Sequence, residues 1–485
     1  MKGKVKCMKK LFSVLLALLL ALTMFFSVSA FADGGPGGTP PGDPPSGDFG
    51  GGTPPDGNPP SGGPGGEGGQ SGGFGGGTPP GGSTSSFEYS AAAEITEAAE
   101  ETDQIYASES ADESALIINT ADAVTISDPT VTKTGDSDGG DNCNFYGLNA
   151  GLLVMGGSTA TISGGTVETS ASGANGVFSY GGNGGQNGAS GDGTTVIISD
   201  TVITTTGDGS GGIMTTGGGI TYASNLTVTT SGRSSAAIRT DRGGGIVVVD
   251  GGTYTSSGLG SPAIYSTADI TVKNATLVSS LSEGVCIEGK NSITLENCDL
   301  TANNTRCNGN ATFLDSIMIY QSMSGDADSG TSSFTMTGGS LTSKSGHMFH
   351  VTNTHAVITL SGVELINEGS EILLSVCDDG WSGASNIAEL AADAQDLAGT
   401  ILVGDNSALT LTLSNGSTFE GTVSGEIANA SGQTVSAEVG TVNVVLDETS
   451  TWTLTADTWI TSFEGNIENV ISNGYTLYVN GTAAN

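Results

Sequence analysis

A short apolar phrase returns along this chain at a spacing typical of stacked repeats. Gly212-Ile213-Met214-Thr215 is followed by Ala237-Ile238-Arg239-Thr240, Ala263-Ile264-Tyr265-Ser266 and Gly284-Val285-Cys286-Ile287, in steps of 25, 26 and 21 residues. An earlier copy is Gly176-Val177-Phe178-Ser179. A repeat this short buries little surface alone, so it gains a core only by stacking on its neighbours.

A second phrase accompanies the first. Val124-Thr125-Ile126-Ser127-Asp128-Pro129-Thr130-Val131 returns in residues 160–167, 196–202, 246–254, 270–277, 293–300, 334–341 and 357–365. It reads as two short alternating strands separated by a tight turn of Asp, Asn or Gly. Three strands per turn, stacked about 4.8 Å apart, predict an all-β parallel β-helix over residues 114–380. Residues 381–485 continue it into a C-terminal cap. The rule for parallel crossovers makes the expected hand right-handed. Residues 387–397 have helical propensity, but Gly399 and the apolar run after it favour another turn of solenoid. Trp452, Trp459, Phe463, Tyr475 and Tyr478 read as packing at the final open edge, which needs a cover. Insertions between the phrases, at 181–193, 303–310 and 321–333, are loops of the kind that carry binding.

The N-terminus is a different material. Lys2, Lys4, Lys6, Lys9 and Lys10 precede an apolar run from Leu11 to Phe26, followed by small residues through Ala32. This is the pattern of a secretory signal, residues 1–32, with cleavage after Ala30 or Ala32. The apolar run is too short to span a membrane comfortably, so no span is expected after cleavage. Residues 33–86 follow as a spacer, and residues 33–82 hold 12 of the 14 prolines. With almost no apolar side chains, the spacer cannot offset its ordering entropy and is expected to be disordered. Residues 87–113 are acidic and alanine-rich. They read as a linker or N-terminal cap, with a short helix conceivable over 91–101.

Charge narrows the function. The leader takes five of the 13 basic residues, leaving eight against 50 acidic ones and a formal charge near −42. Such a surface repels nucleic acid and anionic lipid. Five cysteines remain after the leader, so at least one is unpaired in a monomer. Cys298 and Cys307, nine residues apart around Asn303-Asn304, are the best local disulfide pair.

Candidate sites are few. Alternation along the first phrase sends Val177, Ile213, Ile238, Ile264 and Val285 into the core. Phe178, Met214, Arg239, Tyr265 and Cys286 then form one outward stripe, with Met318 and His350 continuing it. Exposed, a stripe of this composition, with Asp241 beside Arg239, would stack on sugar rings or a partner protein; the alternative is that an insertion such as 181–193 folds over and covers it. His347, His350 and His355 do not have convincing metal-ligand spacing, because residues 347 and 350 face opposite ways on a regular strand. Asp326-Ala327-Asp328 and residues 135–142 offer oxygen ligands of the kind calcium takes, without the spacing of a known calcium loop. No other cofactor is called for, and no catalytic residue is singled out.

With Thr161-Ile162-Ser163-Gly164-Gly165-Thr166 and Ala263-Ile264-Tyr265-Ser266, residues 114–485 resemble secreted right-handed β-helix proteins of the pectate-lyase-like superfamily. The texture is most similar to adhesin-like members from Gram-positive gut bacteria. That superfamily carries lyases, hydrolases and adhesins, so the resemblance speaks to fold more than to activity. The expectation is a secreted or cell-surface protein, adhesin-like or structural, binding a glycan or a host or bacterial surface protein. The alternative is a polysaccharide lyase or glycoside hydrolase.

Overall fold

The computed structural model describes residues 88–183 and 190–484. The leader, the spacer and the centre of the 181–193 insertion lie outside the described residues. What is described is an all-β parallel solenoid. One sheet of 15 strands takes one strand from each turn, beginning with Ala91–Ile95 and ending with Val470–Ile471. A second sheet of 20 strands takes the two strands of the Val124-type phrase. Neighbouring turns pair in parallel and in register. Fifteen turns at about 4.8 Å make a stack on the order of 70 Å long. Among the described residues no helix is long and apolar enough to cross a membrane.

The corner between the paired strands explains its own composition. Asp128, Asp200, Asn225, Asn274, Asn297 and Asn415 all hold φ between 51° and 57° there. Short polar side chains tolerate the left-handed region because they can hydrogen-bond locally. Asn225 Nδ2 donates to Asp200 Oδ1 at 2.6 Å, and Asn274 Nδ2 to Asp250 Oδ1 at 2.7 Å. The corner thereby forms a polar ladder up the outside of the stack.

The core is a set of rows running along the axis. Val196, Thr221, Val247, Ile270, Ile293, Phe334 and Ile358 follow one another across successive strands. They face Val177, Ile213, Ile238, Ile264 and Val285 of the other sheet in one continuous cluster, with Thr221 the polar exception. Thr221 is satisfied across the core by Thr215, with hydroxyls 2.6 Å apart. This satisfies the requirement that a buried polar group find a partner.

The stack begins earlier than residue 114. Ala91–Ile95, Ala99–Thr102 and Ile105–Ser108 are three strands that pair with the next turn. Alanine favours a helix, but three pairing edges outweigh that weak preference in a segment too short to form a stable helix alone. The 91–101 segment is therefore part of a solenoid turn. Residues 387–397 also join the stack, in Asn386–Asp393 and Asp396–Val403.

At the C-terminal end, Leu477–Val479 and Thr482–Ala483 pair antiparallel and break the parallel ladder. The aromatics there divide. Trp452 is core, stacked on Phe419 at 5.6 Å and donating to Gly421 O. Trp459 stacks on Tyr478 at 4.9 Å and stays half exposed.

Candidate functional site

The expected stripe exists as a row but not as a surface. Phe178, Met214, Arg239, Tyr265, Cys286, Met318 and His350 align in register up the outward face of the first sheet. None is exposed: Phe178, Met214 and His350 are fully buried, and Tyr265, the most accessible, is 8% exposed. The expectation of exposure is thus corrected.

Insertions cover the row. The short helix Asp141–Tyr146 lies over its N-terminal part. Thr216 Oγ1 donates to Phe145 O, Asn175 Nδ2 donates to Cys143 O, and Tyr146 meets Tyr180 edge-on. Farther along, Trp381 packs on Tyr320 at 4.9 Å, and Phe313 lies 4.8 Å from the His350 ring.

Beneath these covers lie two polar clusters. In the first, Arg239 and Asp241 form an ion pair at 2.8 Å, both nearly inaccessible. Burial pushes the Asp241 carboxyl up to about 6, with Arg239 opposing and Asp326 adding to the rise. The guanidinium of Arg239 also stands 5.8 Å from the Tyr265 ring centroid. Glu288, on the next strand, accepts from Tyr265 at 2.5 Å, from Tyr320 at 3.1 Å and from Ser322. Burial raises the Glu288 carboxyl as well, and the Ser322 and Tyr265 hydroxyls pull it back. Arg242 closes the edge, bonded to Asp326 at 2.6 Å and set over Phe145 at 4.1 Å.

The second cluster centres on Ser375. Its Oγ lies 2.7 Å from Nδ1 of both His347 and His350. His350 Nε2 stands 3.3 Å from Asp379 Oδ2, an ion-pair distance without hydrogen-bond alignment. Asp379 Oδ1 accepts from the Thr312 amide and hydroxyl. Burial alone would raise Asp379, but His350 and the Thr312 donors hold it low. Burial also pushes His347 down to about 3, reinforced by His350. Glu283 and Asp315 occupy neighbouring turns nearby. Both carboxyls are raised, chiefly by burial, and Glu283 adds to the rise at Asp315.

His347 and His350 meet because the strand is irregular here. Met348 and Phe349 both turn into the core, so the expected opposition of residues 347 and 350 does not occur. Serine, histidine and aspartate in sequence are the groups of a nucleophilic relay. Ser375, His350 and the Asp379 side chain are nevertheless fully inaccessible.

The remaining candidates fall apart spatially. His355 lies on the other sheet, bonded to Glu389 at 2.8 Å. Asp326 is engaged by Arg242 and Asp328 by Lys290. Among the described residues no three His, Cys, Asp or Glu side chains are grouped to hold a metal ion. The Cys298–Cys307 bond is a second correction, since all five described cysteines are free. Cys298 Sγ turns inward to Val272 O, whereas Cys307 Sγ contacts Phe313 O in the covering loop.

Among the described residues the second sheet has no comparable cover at its centre. Ile197, Tyr222 and Val248 follow one another across three strands, and Ile220 and Ile246 sit two residues earlier on the same strands as Tyr222 and Val248. Ile197 is 39%, Tyr222 37% and Ile246 45% exposed. A groove of about 490 Å³ adjoins them, with Gly218, Gly244, Ile220, Ile246, Asp269 and Lys290 among its walls. The signal was present in Val196-Ile197-Ile198, where the outward position carries isoleucine in place of the threonine or serine of other turns.

Comparison with known proteins adds no assignment: no family model, curated protein or solved structure matches the chain.

Proposed function

We propose that the chain is an extracellular adhesin-like or structural protein, a stiff acidic solenoid that presents a binding surface. The observation that carries this reading is the contrast in access. The groups best suited to chemistry, Ser375, His350 and Asp315, are sealed, while an apolar row beside a groove stands open on the second sheet. A rigid stack with one bare face suits holding a partner. The leader and the large acidic excess support a secreted or surface location.

The second reading is a polysaccharide lyase or glycoside hydrolase. It is favoured by Glu283 and Asp315, two carboxyls on adjacent turns, because glycoside hydrolysis uses a pair of carboxyl groups.

Binding and turnover separate the two. The full chain is incubated with a panel of plant and bacterial polysaccharides and with intact cells, in calcium and in chelator. Retention on a glycan or cell surface without new reducing ends or unsaturated products is the expected outcome. Product formation that disappears in Asp315→Asn would establish the enzymatic reading instead.

A further inference from the structure

The geometry points to a binding site for a neutral polysaccharide at the corner of the second sheet, where the row Ile197–Tyr222–Val248 meets the glycine-lined groove. This deepens the adhesin-like reading and rests on it.

The site is built by two local features. Turns 217–219 and 243–245 carry glycines where the two turns that follow carry Thr267-Ala268 and Lys290-Asn291. Gly218 holds φ 79° and Gly244 φ 61°, a backbone that favours glycine, and neither sends a side chain into the space above. The backbone turn itself forms the groove floor. Its amides are satisfied within the stack, with Gly218 N donating to Gly244 O at 2.9 Å and Gly244 N to Asp241 O at 3.1 Å. The floor is therefore a fixed polar surface.

The second feature is the apolar platform continuous with that floor. Ile220 and Ile246 line the groove, and Tyr222 and Val248 follow two residues farther along the same strands. Alternation puts all four on the outward face, and parallel register spaces them at about 4.8 Å from turn to turn. Four consecutive outward apolar residues on a threonine-rich sheet form a patch of the kind that marks a binding surface.

The chemistry of the walls selects the occupant. An apolar platform beside fixed polar groups matches a sugar ring, whose C–H face stacks on tyrosine or isoleucine while its hydroxyl edges meet polar atoms. Charge then excludes acidic polymers. The basic group at the groove, Lys290, is paired with Asp328 at 2.8 Å, and Asp269 stands on the same wall. A uronate or phosphate chain would meet net repulsion there. The polymer that fits is uncharged.

Affinity electrophoresis of the full chain tests this directly. The gels contain galactomannan, mixed-linkage glucan or arabinoxylan as neutral probes, and polygalacturonate as the acidic probe. Retardation by at least one neutral probe is expected, weakened tenfold or more in the double variant Tyr222→Ala/Ile246→Ser. Val202→Ser removes an exposed apolar residue from the other strand of the sheet and should bind like the parent. Circular dichroism and the melting midpoint establish that each variant is folded.

Retardation by polygalacturonate alone, unchanged binding in the folded double variant, or no retardation by any neutral probe would overturn the site. Loss of self-association in the double variant, seen by sedimentation, would also overturn it, by assigning the patch to a second copy. The broader reading fails separately, if the full chain is retained by no polysaccharide and no cell surface.

Discussion

The outward faces of the two sheets follow the same alternation, yet Phe178 on one is sealed and Ile197 on the other is 39% exposed. Connection length accounts for the difference. Among the described residues the long insertions lie on the connections between the sheets: residues 134–151 and 303–314 lead from the second sheet into the first, and 321–330 and 377–385 lead back. Such segments have the reach to fold over the strands they flank. The paired strands of the second sheet are joined by corners of two residues, as between Ala123–Ser127 and Thr130–Lys133. A two-residue corner cannot cover anything. Which face becomes surface is decided by where the chain has slack, not by the side chains on that face.

Cutting the same chemistry from each face gives the largest contrast. Phe178→Ala removes a fully buried ring beneath the Asp141–Tyr146 helix and should cost about 3–5 kcal/mol. Ile197→Ala, at an exposed position of the second sheet, should change stability by no more than about 0.5 kcal/mol. Urea midpoints measured side by side check this. Equal losses would mean that the two faces are covered alike.

The covered face also titrates, and its groups pull in opposite directions. Asp241 has a folded pKa of about 6, above its unfolded value. Its contribution is fully present below about pH 4 and is lost as pH rises through 6, by about 3 kcal/mol for a shift of roughly two units. His347 is depressed to about 3. Its contribution is present above its unfolded value near 6.5 and is lost as pH falls toward 3. Relative to the parent, Asp241→Asn should make stability fall more steeply on acidification between pH 6 and 4. His347→Gln should make it fall less steeply. Melting midpoints across that range read both slopes, and a pair of variants parallel to the parent would place these groups in contact with water. Tyr222→Ala on the bare face should leave the slope unaltered.

Much of the fold was legible because its signals are local. The β-branched alternation, the Asp, Asn and Gly corners and the 21–26-residue period each point to stacked parallel strands, and the register follows from aligning Ile213, Ile238 and Ile264. Residues 91–108 were harder, since short alanine-rich and acidic segments acquire strand character only from the neighbouring turn. The site was less legible still. Alternation correctly set Phe178, Met214, Arg239 and Tyr265 on the outward face, but outward does not mean exposed. Nothing local to those positions says that residues 139–147 or Trp381 fold across them. Ser375 and Asp379 escaped notice because their partners, His350 and Thr312, are 25 and 67 residues away. The open row at Ile197, Tyr222 and Ile246 could have been found by asking which outward positions break the threonine and serine pattern.

The smallest expected effect concerns the corner that keeps the second sheet bare. Ten turns place Asp, Asn or Gly at this left-handed position, from Asp128 to Asn415, but Ala394 holds φ 49° in the same place. An alanine there brings its Cβ toward the following carbonyl, a clash worth roughly 1–2 kcal/mol, and lacks the side-chain hydrogen bond of an asparagine. The neighbouring corner shows what is missing, since Asn415 Nδ2 donates to Asp393 across the turn. Ala394→Gly removes the clash while giving the unfolded chain more freedom, so the net gain should be below that range, near 0.5–1 kcal/mol. Ala394→Asn should gain a similar amount, by tolerating the same φ and donating to its neighbour. The urea midpoint reads the gain, and slower amide exchange within Asn386–Asp393 and Asp396–Val403 would localise it to the corner. A loss in both variants would mean that Ala394 is held by packing rather than by backbone geometry, and that corners of the bare sheet are not interchangeable from turn to turn.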